Sequence, residues 1–387
     1  MPRLKTLLAG QPPNPMYRIG ELVHGRGHIV HLEFGEPDFP TPAHIVEAGM
    51  RSLRDERQGY GPGAGLPDLR AAIAERVRRV DAIEAAPERV IVSAGGTGGL
   101  LAALLCLCAP GDEVLVPDPA WAGYDAMLAA AGARMVRYPL RPELGWRPDL
   151  AALEAAITPR TSVLLLNSPS NPGGAVFARA TVERLVEIAA QHDLWILSDE
   201  CYDQFVYAGE HVSPARFDAD GRVITVGTFS KTYAMTGWRI GWVVCPATVT
   251  ESIALAVTAA VNNLPLFVQR AAQAALAGSQ ECVAEMAAAY RARRDVAVEL
   301  LRERGALEYV PEGAFYLLVP LVPAGSSPLD GVAFAEALIA ERGIAIAPGI
   351  AFGPATARYV RLSLASGEAA LRTGIAGMLD FARDRRS

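Results

Sequence analysis

Between about residue 90 and residue 245, short β-branched apolar runs alternate with Ala/Leu-rich stretches at helical spacing. Strands that run in the same direction need a long crossover between them, and a helix is its usual form. The alternation therefore predicts βα units around a mostly parallel sheet, with helices over its faces. Seven strands are expected: Val90 to Ser93, Glu113 to Pro117, Arg134 to Tyr138, Ser162 to Asn167, Trp195 to Ser198, Val223 to Val226 and Ile240 to Val244. From Thr181 to His192, the residues Val182, Leu185, Val186 and Ala189 share one helical stripe, as a helix covering a sheet should.

The 387 residues exceed one ordinary core, and 51% hydrophobic against 20% charged residues gives ample buried material. Two domains are expected. After Pro265 an Ala-rich, charge-laced stretch to about Gly305 reads as one or two long helices. Beyond it, strands at Ala314 to Val319, Ile344 to Ala347 and Tyr359 to Ser363, with a helix around Gly331 to Arg342, make a small α+β unit. The expected plan is an α/β fold: a large domain over residues 45–275 with the seven-stranded sheet, a smaller α+β domain over 276–387, and residues 1–44 as an N-terminal arm joining the smaller unit.

A net charge of -6 argues against binding a phosphate backbone, so no nucleic-acid partner is expected. No apolar run approaches the roughly 20 residues needed to span a bilayer. The N-terminus also breaks with Gly and Pro before a secretory core develops, so a cytoplasmic protein with no membrane partner is expected. Cys106, Cys108, Cys201, Cys245 and Cys282 are odd in number and scattered, which suits buried free thiols rather than a metal or redox pair.

Four segments carry candidate chemistry. GTFSKTYAMTGWRIGW, residues 227 to 242, supplies Lys231 with Thr228, Ser230 and Arg239, the parts of a site for a phosphate and an aldehyde. A lysine forms an imine only when its amine is neutral, which desolvation and a neighbouring cation such as Arg239 favour. The planar fork of Arg239 suits a phosphate dianion. In SAGGTGGLL, residues 93 to 101, Gly95, Gly96 and Thr97 lie at a strand-to-helix turn that can cradle an anion, although such turns serve tight packing as often. NSPSNPGG, residues 167 to 174, puts Asn171 in a turn after a buried strand, and plain turn chemistry would explain it equally. SDECY, residues 198 to 202, offers Asp199 to a protonated ring nitrogen and Tyr202 to a ring hydroxyl; an Asp there is also a common helix cap. All four fall at the carboxyl ends of expected strands, where open α/β sheets bind ligands, and that convergence is what lifts them above their separate bland readings.

With HLEFGEPDFPTP (31 to 42), YGPGAGLPDLR (60 to 70), PAWAGY (119 to 124), EGAFYLL, APGIAFG and VRLSLA, these segments form an ordered series over nearly the whole chain. The series closely resembles the class I, aspartate aminotransferase-like enzymes of pyridoxal 5′-phosphate (PLP) fold type I. The resemblance implies PLP as cofactor and Lys231 as the Schiff-base lysine and proton carrier between Cα and the cofactor's C4′. It implies that Asp199 pairs with the pyridinium nitrogen, that Asn171 and Tyr202 bond the ring oxygen, and that Trp121 stacks on the ring. Gly96, Thr97, Thr228 and Arg239 would hold the phosphate, Arg361 would grip the substrate α-carboxylate, and Gly35 would back that site. Tyr60 resembles the tyrosine that reaches a partner's phosphate, which implies a homodimer with shared sites. The implied reaction is transamination between an amino acid and a 2-oxo acid by a ping-pong route.

Two departures bear on this. Gly173 stands where the turn commonly has threonine, which would loosen the loop, and Thr97 stands where some aspartate enzymes carry a lysine for the distal carboxylate. The alternative on the same scaffold is a PLP-dependent carbon–sulfur β-lyase or related enzyme. A ligand-sensing regulator would need a DNA-binding module, and about 30 residues before the family motifs are too few for one.

Overall fold

A computed structural model of the chain describes residues 8, 13–321 and 330–385. Most of the first twelve residues of the expected arm therefore lie outside the described residues. The central sheet is built in the spatial order Val90–Ser93, Gly241–Val244, Val223–Thr228, Trp195–Asp199, Thr161–Asn167, Glu113–Asp118, Arg134–Arg141 and Arg147–Pro148. It has eight strands rather than the expected seven. The addition is the two-residue Arg147–Pro148, which returns antiparallel on Arg134–Arg141 and is too short to leave a periodic signal.

The strands Glu113–Asp118, Arg134–Arg141, Thr161–Asn167, Trp195–Asp199 and Val223–Thr228 pair in parallel. Gly241–Val244 runs antiparallel between Val223–Thr228 and Val90–Ser93, so Val90–Ser93 points the same way as the parallel set. The carboxyl ends carrying Ser93, Asn167, Asp199 and Thr228 thus share one edge of the sheet. Asn167 and Asp199 are direct register partners there.

Both faces are covered, which is why the central strands are apolar throughout rather than alternating. On one face Leu100, Leu104, Tyr124, Leu128 and Val257 pack against Val114, Leu165 and Val226. On the other, Val182, Leu185, Val186 and Ala189 of the Arg179–Gln191 helix are all buried against Leu164, Leu166 and Ile196, the stripe read from the sequence.

The stretch after Pro265 is two helices, Leu266–Ala277 and Glu281–Glu303, broken where Gly278 takes an extended conformation. Beyond them Tyr316–Pro320, Tyr359–Ser363 and Ala347–Pro348 form an antiparallel sheet in that order. The Gly331–Arg342 helix forms as expected, with Asp330 accepting the Val332 and Ala333 amides and Gly343 closing it in the left-handed region. The expected strand from Ile344 to Ala347 is split between two sheets. Ile344–Ala345 pairs with Val30–His31, whereas Ala347–Pro348 pairs with Tyr359–Ser363. Upstream, Asn14 caps the Pro15–Val23 helix, whose Ile19 and Val23 enter the same core as Tyr316, Leu362 and Phe381.

The expectation of buried thiols holds for Cys245 alone; Cys106, Cys108, Cys201 and Cys282 are half-buried. Gly173 is not a point of looseness either. It is buried, and a Cβ there would come within 3.1 Å of the Trp146 Cβ, so glycine admits the fully buried indole. Among the described residues, no helix is long and apolar enough to cross a membrane.

Candidate active site

A cavity of about 1100 Å3 opens at the carboxyl edge of the sheet and gathers residues far apart in sequence, among them Gly35, Gly96, Asn171, Asp199, Lys231 and Arg361. Lys231 sits in the short Phe229–Thr232 helix that follows the Val223–Thr228 strand. Thr228 caps that helix, its Oγ1 accepting the Ser230 amide at 3.1 Å, so the lysine's position is fixed by the strand end. Lys231 Nζ donates to the Gly35 carbonyl at 2.6 Å. Desolvation lowers the pKa of this amine, and the nearby Arg361 and Arg239 guanidiniums act in the same direction. Gly35 has a steric reason of its own, because a Cβ there would lie 2.1 Å from Tyr316 Oη.

At one end of the cavity, Gly96 and Thr97 lie in the first turn of the Gly95–Leu107 helix, which has no side-chain cap. Gly95 adopts φ +69, and a Cβ on it would come within 2.7 Å of Arg239 Nη2. Arg239 itself is left-handed at φ 56 and is braced by donation from Nη1 to the Thr236 carbonyl at 2.8 Å. Thr228, Ser230 and Arg239 thus converge with a helix N-terminus. Hydroxyls, a guanidinium and free amides with a positive dipole end are the groups that bind a phosphate.

In the middle, Asp199 is buried and doubly held. Tyr124 Oη donates to Oδ2 at 2.6 Å, and Cys201 Sγ donates to Oδ1 at 2.6 Å. Desolvation raises the Asp199 pKa, and these two donors oppose the rise by favouring the carboxylate. Trp121 lines the cavity and meets Tyr124 edge-on with ring centroids 5.4 Å apart. Tyr202 shares a hydrogen bond of 2.8 Å with Tyr316, hydroxyl to hydroxyl, and burial pushes the phenol of each upward.

Toward the smaller sheet, Arg361 is buried between the rings of Tyr316 and Phe352, its Cζ 4.3 Å and 4.6 Å from their centroids. Nη1 donates to Asn171 Oδ1 at 3.1 Å and Nη2 donates to the Glu33 carbonyl, while Nε has no partner. A guanidinium walled by rings and short of one acceptor is poised for a carboxylate.

Residues 27–377 match the sequence model of the aminotransferase class I and II family. The chain belongs to that family. An arginine–pyruvate transaminase of Pseudomonas aeruginosa is 41% identical over 359 residues, 92% of this chain and 90% of its own length. The aspartate/prephenate aminotransferase of Thermus thermophilus is 40% identical over 350 residues, 90% and 89% of the two chains. A solved structure of Thermus thermophilus aspartate aminotransferase with maleate superimposes with a TM-score of 0.91 at 37% identity, covering 98% of this chain and 100% of that one. The resemblance read from the motifs is thereby borne out, as is the α/β fold of type I, and the chain is an aminotransferase.

The structure brings together Lys231, Asp199, Tyr202, Asn171, Gly96, Thr97, Trp121, Thr228, Ser230, Arg239, Gly35 and Arg361 on the cavity wall. Gly95 stands just behind it against Arg239. Tyr60 does not line the cavity of its own chain and is 90% exposed. Sequence reasoning missed Tyr124, Cys201, Tyr316 and Phe352, although each lies inside a segment it had singled out. For Tyr124, Tyr316 and Phe352 the contacts run between elements, so spacing in the chain carries no signal, whereas Cys201 reaches Asp199 from only two residues away.

Proposed function

We propose that the chain moves an amino group between an L-amino acid and a 2-oxo acid by a ping-pong mechanism, with PLP bound at the carboxyl edge of the sheet. The residues present fit that cofactor. Gly96, Thr97, Thr228, Ser230 and Arg239 would hold its phosphate, with Gly95 giving Arg239 room. Asp199, whose carboxylate form Tyr124 and Cys201 favour against desolvation, would face the ring nitrogen; Tyr202 and Asn171 would serve the ring oxygen, and Trp121 the ring face. The cofactor supplies an electron-accepting ring conjugated to the Cα of the amino acid.

The protein's own groups do the rest. Arg361 takes the α-carboxylate on its unsatisfied edge and so orients the Cα–H bond relative to Lys231. Lys231, whose amine pKa is lowered by burial, accepts the Cα proton once the substrate's amine has displaced it. The Gly35 carbonyl gives the displaced Nζ a hydrogen-bond acceptor. The rings of Phe352 and Tyr316 wall the Arg361 guanidinium on which the carboxylate would dock.

The observation that carries the reading is the placement of a desolvated Lys231 in one cavity with a doubly donated Asp199 and a carboxylate-ready Arg361. Thr97 stands where some aspartate enzymes carry a lysine for the distal carboxylate, so the preferred side chain of the substrate is left open. The exposure of Tyr60 supports its service to a second copy of the chain, in a homodimer with shared sites. The division into residues 45–275 and 276–387, with 1–44 joining the second part, is supported by the sheets, since all eight strands of the large one lie in the first range, although Tyr202, Phe205 and Tyr207 pack in the core of the second part and Val283 in that of the first.

The test is stoichiometry. Purified protein with PLP, a panel of amino acids and a 2-oxo acid should give one new amino acid for each donor consumed, with parallel double-reciprocal plots. Release of pyruvate and ammonia from a cysteine conjugate without an acceptor would overturn the reading in favour of a β-lyase.

A further inference from the structure

Away from the cavity, five ionisable side chains meet in the interior. Arg76 and Asp81 come from the Pro67–Asp81 helix, Glu200 and Asp203 from the segment after the Trp195–Asp199 strand, and His211 from the loop beyond it. Asp81 is 4% exposed, Glu200 3% and the His211 side chain 8%. Arg76 pairs with Asp81 Oδ2 and with Asp203 Oδ2. His211 Nε2 lies 3.0 Å from Glu200 Oε2, and Glu200 Oε1 accepts from Ser198 at 2.8 Å and Ser213 at 2.7 Å.

Two features of this cluster are unfinished. Asp81 Oδ1 and His211 Nδ1 are buried with no hydrogen-bond partner, a costly state for a polar atom in a low-dielectric interior. The charges are also unequal, since three carboxylates face one guanidinium. A divalent cation beside a neutral imidazole brings the set to neutrality, and no single proton does that. One oxygen of Asp81, one of Glu200 and a ring nitrogen of His211 already lie within 4.8 Å of one another. Donors held at about 2.0–2.2 Å from a tetrahedral ion sit about 3.3–3.6 Å apart, so the widest pair has to close by roughly 1 Å as the ion binds.

We propose that Asp81, Glu200 and His211 form a buried binding site for a first-row divalent cation, with Zn2+ the best match to one imidazole and two carboxylates. The surrounding groups are those that orient metal ligands. Arg76 fixes Asp81 through Oδ2, leaving Oδ1 to coordinate, and Ser198 and Ser213 fix Glu200 through Oε1, leaving Oε2. Water completes the fourth position. The bound cation fastens the Pro67–Asp81 helix to the segment that begins one residue after Asp199, and it acts on stability rather than in the reaction.

The test uses the PLP-loaded protein dialysed against Zn2+ at physiological ionic strength, followed by metal analysis and thermal melting. One equivalent per chain and a melting temperature raised by Zn2+ are expected. Asp81→Asn and His211→Gln should each weaken binding by more than about 100-fold, because losing a ligand costs at least what losing its orienting partner does. Retention of the visible cofactor band shows that a variant is folded. If both variants fail to fold, Ser213→Ala decides, with an expected weakening of about tenfold. No bound zinc in the wild type, no rise in melting temperature, or undiminished binding in the folded variants, which would place the metal elsewhere, overturns the proposal.

Discussion

Arg361 Nη1 donates to Asn171 Oδ1 at 3.1 Å, and this bond joins the Tyr359–Ser363 strand of the smaller sheet to the turn after the Thr161–Asn167 strand of the larger one. The guanidinium is therefore positioned by one sheet and anchored by the other. Its rotation is limited further by the rings of Tyr316 and Phe352 on its flanks. A carboxylate arriving at Nε meets a fork whose orientation is already set, which reduces the entropy lost on binding.

Arg361→Lys should separate geometry from charge. The ammonium keeps the positive charge but offers neither a planar fork nor the reach to satisfy Asn171 and a substrate together. A loss of about 2–4 kcal/mol is expected, or roughly 30- to 700-fold in kcat/KM, carried mainly by KM. Steady-state kinetics with varied amino donor measure it, and an unchanged KM would remove Arg361 from the carboxylate site.

Tyr124→Phe removes one of the two donors to Asp199 while leaving the ring that meets Trp121. Desolvation then raises the Asp199 pKa with only Cys201 opposing it, so the carboxylate is less available to a cationic ring nitrogen. A hydrogen bond to a charged group contributes about 1.5–3 kcal/mol, so PLP affinity should fall by roughly 10- to 100-fold. Equilibrium dialysis of the cofactor reads this directly, and a melting temperature near that of the wild type would show that the fold is intact.

How much of this was legible in the chain depends on whether the determining interaction is local. The Arg179–Gln191 helix declared its buried stripe through Val182, Leu185, Val186 and Ala189, because a helix repeats its core contact every three or four residues. The strand ends bearing Asn167 and Asp199 were legible for the same reason, and with them the edge of the sheet where the site lies. Tyr124 was not. It reaches Asp199 across 75 positions, and only the parallel order of strands brings the two together. Tyr316 was hidden likewise, although its hydroxyl both meets Tyr202 and excludes a side chain at Gly35. The break between Ile344–Ala345 and Ala347–Pro348 could not be read, since each half answers to a different partner sheet.

Gly95→Ala tests the phosphate end. The backbone at φ +69 costs an alanine about 1–2 kcal/mol, and its Cβ at 2.7 Å from Arg239 Nη2 forces the guanidinium aside. Both effects point the same way. A lower melting temperature and PLP binding weakened by at least about tenfold are expected, with the binding loss larger than the strain alone explains. Inorganic phosphate, which protects the cofactor-free wild type against thermal unfolding if the cradle binds the phosphate group, should protect the variant less.

Lys231 gives the pH dependence. Only the neutral amine attacks an aldehyde, and that form accumulates as pH rises through the pKa. In the folded protein desolvation lowers this pKa below the 10.5 of an exposed lysine, and Arg361 and Arg239 lower it further. The covalent capture of PLP by cofactor-free protein should therefore rise with pH and reach half its plateau below 10.5, ahead of an exposed lysine. The sign for stability follows from the same shift. The unfolded amine holds its proton up to 10.5 while the folded one releases it earlier, so the penalty for burying Lys231 falls between the folded pKa and 10.5. Over that window Lys231→Met should lose its stability advantage over the cofactor-free wild type as pH rises. Borohydride trapping across a pH series measures the first effect and denaturant unfolding the second. A capture profile with its midpoint at 10.5 or above would show that the lysine is not desolvated in the way its position beside Gly35 and Arg361 requires.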